Sequence, residues 1–229
     1  EQFVLLVDLD TQANLTLALN VDPVKVRQSV ADVLIHLASL TGVSRETGIP
    51  GLDLAPANSE MGLAERFLPV RHNYEFILRN ALDGSIPYDY VIFDCPPSLG
   101  AVTLNALNAS DLLVIPTMPE YFSAYALRNV LLAARHLRNQ SNPRLAHRIL
   151  ITMQDRRNRV HRSLSEQLRI AFGDNLFETV IEVDTKLRES SITGLPITHA
   201  YPNSRSALQY RALAQEIAQR VYENVAPPA

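Results

Sequence analysis

The run Val4-Leu5-Leu6-Val7 leads into Asp8-Leu9-Asp10-Thr11-Gln12. Successive side chains alternate along a strand, so Asp8 and Asp10 leave it on the same face. Tyr90-Val91-Ile92-Phe93 closes in the same way on Asp94 and is followed at once by Cys95-Pro96-Pro97-Ser98. Carboxylates at strand exits suit Mg²⁺. This hard cation keeps several of its waters, and a carboxylate can hold those waters while substrate phosphates supply the other ligands. An apolar strand that ends in Asp is also common in proteins with no such chemistry, so neither segment decides the matter alone.

These residues need a frame. Short apolar runs that end in turn signals predict strands at Phe3–Leu9, Leu52–Ala55, Tyr90–Asp94, Leu112–Thr117, Arg148–Met153 and Thr179–Ile181. Apolar recurrence at three and four predicts helices at Ser29–Leu40, Asn73–Leu82, Leu99–Ala109, Ala124–Asn139, Val160–Phe172 and Ser206–Val225. The alternation predicts an α/β fold, a mostly parallel doubly wound sheet with helices on both faces, in which ligands bind beyond the carboxyl ends of the strands. No repeat or composition break divides residues 1–229, and a single domain is expected. The tail ENVAPPA is expected to fray.

Taken together and in order, VLLVDLDTQANLT, YDYVIFDCPPSLGAVTLNAL and SDLLVIPTMPEYFSAYAL resemble the successive motifs of ParA-type partitioning ATPases, in the deviant Walker A group that also includes MinD. The resemblance continues through ILITMQDRRNRV, residues 172–194 and PITHAYPNSRSALQYRALAQEI, and so covers nearly the whole chain. It implies a P-loop NTPase-like fold with ATP and Mg²⁺ as cofactors. By position, Asp10 matches the aspartate that positions or activates the attacking water, Asp8 its neighbour in the magnesium network, and Asp94 the Walker B magnesium residue. Gly100 matches the loop that senses the γ-phosphate. Thr11 and Glu182 stand where the family usually has proline, the second of these lining the adenine pocket, which leaves Met153 and Asp155 as base-side candidates.

The resemblance further implies a glycine-rich loop with two lysines upstream of VDLD, whose N–H groups cradle the phosphates. The 229 residues contain no G-K-[ST] string, and their only lysines are Lys25 and Lys186. The family places the missing strand beside those that end in Asp10 and Asp94, so a preceding strand, loop and helix of about 35 residues is expected. The alternative is a relative without ATPase activity that acts as a DNA-binding or scaffold protein.

Charge is distributed unevenly. Residues 1–100 carry 6 Lys+Arg against 13 Asp+Glu, and residues 101–229 carry 15 against 11. Between Arg128 and Arg169 ten arginines face two acids, a candidate polyanion surface. The resemblance implies an ATP-dependent homodimer that binds DNA without sequence specificity, and a ParB-type or adaptor activator. It points to Lys186, Arg188 and Arg205 as DNA contacts, with Arg159 and Arg162 on the adjoining helix. A MinD-like membrane cycle is disfavoured, because the chain after Arg220 has no lysine or arginine and contains two prolines. One cysteine and no secretory pattern at the start lead to the expectation of a cytoplasmic, nucleoid-associated protein.

Overall fold

The computed structural model describes residues 2–84 and 86–225, with the backbone alone for 220–225. The fraying expected of the tail falls partly on residues 226–229, outside the described residues. The chain divides into two compact units, residues 1–110 and 111–229.

In the first unit the strands β1 (Val4–Asp8), β2 (Arg45–Ile49), β3 (Leu52–Ala55) and β4 (Tyr90–Asp94) form a sheet in the order β2-β3-β1-β4. Its helices are α1 (Asn14–Ala18), α2 (Val30–His36), α3 (Leu40–Val43), α4 (Met61–Phe67), α5 (Ile77–Leu82) and α6 (Ala101–Ala109). β1 pairs in parallel with β3 on one side and with β4 on the other. Leu5 and Val7 of β1 are fully buried and pack with Val30, Val33 and Leu34 of α2, Met61 of α4 and Val102 of α6. α2 begins at a capping box: the Ser29 hydroxyl accepts from Ala31 N–H at 3.2 Å, and Asp32 Oδ2 accepts from Ser29 N–H at 2.8 Å.

This pairing corrects one expectation. β1, which leads to Asp10, has strands on both sides, so it has no open ladder. Among the described residues of this unit the open edge belongs to β4, where Ile92 is half exposed.

The second unit contains β5 (Leu112–Thr117) and β6 (Ala146–Ile151), paired in parallel, with α7 (Tyr121–Gln140), α8 (Arg159–Phe172), α9 (Thr185–Thr193), α10 (Ile197–Ala200) and α11 (Arg205–Val225). Ile115, Ile149 and Ile151 pack with Leu127 of α7 and Leu168 of α8. Leu150 packs with Phe177, Ile181 and Leu213 of α11. Neighbouring β6 residues thus serve separate cores, as a sheet covered by helices on both faces requires. The strand expected at Thr179–Ile181 is absent. The chain there makes isolated parallel bridges, Ile149 with Leu176 and Gln154 with Glu182.

Candidate functional site

The β1–β4 register pairs Asp8 directly with Asp94, and Leu9 N–H donates to Asp94 O at 2.9 Å. The acidic exits of two neighbouring parallel strands therefore lie side by side, where an open α/β sheet binds ligands. Asp94 is the solvent-facing member. Its carboxyl is held above the ordinary carboxylate range, first by burial of part of the group and then by the charges of Asp8 and Asp10. Carboxylates that raise one another in this way form a negative site that a cation would relieve.

Asp8 is fully buried, and both of its oxygens are engaged. Oδ1 accepts from Asp10 N–H at 3.1 Å, while Oδ2 accepts from the N–H and hydroxyl of Thr16 at 2.8 and 2.7 Å. Ala57 N–H donates to the Thr16 hydroxyl at 3.0 Å, which extends the network to the segment after β3. Asp8 therefore positions the loop instead of facing a metal-bound water, which corrects the direct magnesium role expected for it. Asp10 remains half-buried. Its Oδ1 accepts from Gln12 N–H at 3.0 Å, and the turn continues to Ala13, held at φ 52°. That left-handed geometry costs a non-glycine residue on the order of 1 kcal/mol.

No group of three or more His, Cys, Asp or Glu residues is spaced to bind a metal directly among the described residues. The donor set fits Mg²⁺ held through its waters by hard oxygen ligands, the mode this ion favours, and does not fit a closed cage. Cys95 beside the site is inert. Burial and the Asp94 charge push its thiol up to about 12, so it stays protonated at neutral pH.

Gly100 has an extended backbone (φ −84°, ψ −171°) that any residue could adopt. Its lack of a side chain matters because a Cβ there would overlap the carboxylate of Glu65. Glu65, on α4, accepts from Ala101 N–H at 2.8 Å and Val102 N–H at 3.0 Å, capping α6 from outside the helix. Nothing local in the sequence marks Glu65, because its partners lie 36 and 37 residues away.

In the second unit Met153 is exposed at φ 55°. Asp155 accepts from Arg157 N–H at 2.9 Å and from its guanidinium at 3.2 Å, and these bonds keep its carboxyl below the usual range. Glu182, standing where the family resemblance leads one to expect proline, is only 2% exposed. It pairs with Arg156, with Arg205 at 3.1 Å, and with the Gln209 amide at 3.1 Å. Arg205 also donates to Val183 O at 2.6 Å. This network lines an open depression of about 780 Å³ that also includes Gln154 and Arg169. Glu182 was not legible as a functional residue from its sequence neighbourhood.

Of the five expected DNA contacts, then, Arg205 is already bound to a buried acid. Lys186 pairs with Glu189 at 2.8 Å and lies 4.5 Å from the Tyr201 ring centre. Arg162 donates to Arg156 O at 2.5 Å. Arg159 and Arg188 are exposed, and no ion pair forms at either among the described residues.

Residues 1–147 match the AAA domain family AAA_31. The sporulation initiation inhibitor protein Soj of Bacillus subtilis is 37% identical over 217 residues, 94% of this chain and 86% of Soj. The chromosome partitioning protein ParA of Caulobacter vibrioides is 31% identical over 230 residues, 99% of this chain and 86% of that protein. Among solved structures, cobyrinic acid a,c-diamide synthase from Mycobacterium smegmatis with bound ATP analog and magnesium superposes with a TM-score of 0.82 at 29% identity, covering 100% of this chain and 86% of the other. The side-by-side acidic strand ends, the mostly parallel sheet order and these likenesses agree, and the chain belongs to the ParA/Soj type of AAA domain ATPase family.

Proposed function

We propose that this chain is the greater part of a partitioning or positioning ATPase, both units belonging to one ParA-like domain. It would work in the cytoplasm on the nucleoid, as an ATP-dependent homodimer that binds DNA without sequence specificity and is triggered by a ParB-type activator. The observation that carries this reading is the parallel register that sets Asp8 beside Asp94, with Asp10 anchored to Asp8 by a hydrogen bond.

Each residue has a separate task. Asp94 is the residue that would hold Mg²⁺ through its waters. When bound, the ion supplies positive charge that offsets the phosphates. Buried Asp8 fixes the backbone of Asp10 and the start of α1. Asp10, half-buried, is free to accept a proton or hydrogen bond from a water and so to orient it for attack. Gly100 and its turn form the γ-phosphate side, and Met153 and Asp155 the base side. The DNA surface is assigned to Lys186, Arg188, Arg205, Arg162 and Arg159, within which Arg159 and Arg188 offer guanidinium groups not already in ion pairs.

The test is Asp10→Ala in the native protein. Hydrolysis should fall by about 100-fold or more while nucleotide binding and dimerisation persist, because the carboxylate acts on water and not on the nucleotide. Loss of ATP binding in this variant would overturn the assignment. Binding to anionic vesicles with none to DNA would overturn the DNA-based reading in favour of a membrane cycle.

A further inference from the structure

α7 is a 20-residue helix whose inner face buries Leu127, Ala134 and Leu137. At about 1.5 Å per residue it is roughly 30 Å long. Tyr121, Tyr125, Arg128, Leu132, Arg135 and Asn139 follow one another at alternating intervals of four and three, the spacing of a coiled-coil seam. All six are exposed and lie opposite the buried face. Tyr121 is 71% exposed, and Phe122, stacked edge-on against it at 5.6 Å, is 82% exposed. Isolated exposed apolar residues are ordinary, but an aromatic cluster continued by Leu132 along a single seam is a contact surface.

The charge on this surface identifies the occupant. From Tyr121 to Gln154 the chain contains no Asp or Glu, while Arg128, Arg135, Arg138, Arg144 and Arg148 all fall within it. Among the described residues no salt bridge forms at Arg128, Arg135 or Arg138. A second copy of the chain would bring an equal set of arginines against these. Duplex DNA would accept the arginines but leave the tyrosines, Phe122 and Leu132 facing phosphate. A helix with apolar residues along its seam and acidic residues at its flanks satisfies both sets at once.

We propose that the outer seam of α7 is the docking site for an acidic amphipathic helix of a partner protein. Knobs from that helix pack among Tyr121, Tyr125 and Leu132, and its flanking carboxylates pair with Arg128 and Arg135. This docking requires no nucleotide and is independent of the proposed ATPase cycle.

The native protein is titrated, without nucleotide, with a fluorescein-labelled peptide of about three heptads carrying Leu along its seam and Glu at the flanks. A matched peptide carries Lys in place of Glu. The Glu peptide should bind saturably and weaken as salt rises, and the Lys peptide should bind at least about tenfold more weakly. Arg128→Glu and Leu132→Asp should each weaken the Glu peptide by about tenfold or more. Both positions are exposed, and Tyr125→Ala, which introduces no charge, provides a third variant should either disturb the helix; circular dichroism melts check each. No saturable binding of the Glu peptide overturns the proposal, as does binding that ignores all three substitutions. If Leu132→Asp instead abolishes concentration-dependent self-association, the seam belongs to a second copy. If it abolishes binding of a short DNA duplex, the seam belongs to nucleic acid. Either result also overturns the proposal.

Discussion

At the scale of single residues, Asp94 combines function with a cost in stability. Its carboxyl is raised by burial and by the charges of Asp8 and Asp10, so the folded state holds this proton more tightly than the unfolded chain does. A raised acid contributes most to stability below its unfolded value near pH 4, and that contribution is lost as pH rises through the folded value. Asp94→Asn removes the charge and should raise the Tm of the native protein in EDTA at pH 7 by about 1–2 °C, a modest gain because solvent screens the group. The gain should vanish at about pH 3–4, where wild-type Asp94 is itself protonated. Mg²⁺ should stabilise wild type and not the variant. A lower Tm for Asp94→Asn at pH 7 would mean the carboxylate has a structural partner that outweighs the repulsion. The type and spacing of Asp8, Asp10 and Asp94 were legible in the sequence. The difference between them was not, because the burial of Asp8 depends on Thr16 and, through it, on Ala57, 41 residues further along the chain.

At the scale of elements, α6 shows how a glycine can be required for a reason outside its own backbone. The Gly100 torsions suit any residue, yet Glu65 occupies the space of a side chain while accepting the first two free N–H groups of the helix. Gly100→Ala should displace that carboxylate and cost about 1–2 kcal/mol, the usual worth of a lost cap. Glu65→Ala should cost a similar amount by leaving the same donors uncapped. The double variant should then be little worse than either single one, since both remove one interaction. Full additivity in urea unfolding would separate the two residues. Long amphipathic helices and apolar strands such as β4 and β5 could be read from periodicity to within a few residues. β2 could not, because Arg45-Glu46-Thr47 lacks strand character and depends on pairing with β3 beyond the Pro50-Gly51 turn. Short helices such as α1 and α10 carry too few turns for a periodic signal, and at 179–181 an apolar run finds only isolated bridges.

At the scale of the molecule, the charge division read from the sequence coincides with the structural one. Residues 101–110 are uncharged, so the first unit carries the excess of acid and the second the excess of base. Formal charge overstates what the second unit can offer a polyanion, however, because pairing removes part of it. Glu182 is almost entirely buried and is compensated by Arg156 and Arg205. For Arg205 to turn to a phosphate it would have to leave a buried carboxylate short of a partner, a change that costs several kcal/mol when it is complete. Arg205→Gln should therefore change DNA affinity little, whereas Arg159→Glu and Arg188→Glu should weaken it. Glu182→Gln keeps the shape of the network while releasing its arginines. It should steepen the slope of log affinity against log salt by about one to two, since each added phosphate contact contributes about 0.9. Adding Arg205→Gln to that variant should return about one of those contacts. Fluorescence anisotropy on a labelled duplex across a salt series, with the native protein and these variants, reads all of this. If Arg205→Gln alone abolishes binding, the arginine leaves Glu182 for the phosphate in the bound state. The buried acid would then be a resting place for a DNA contact and not its permanent partner.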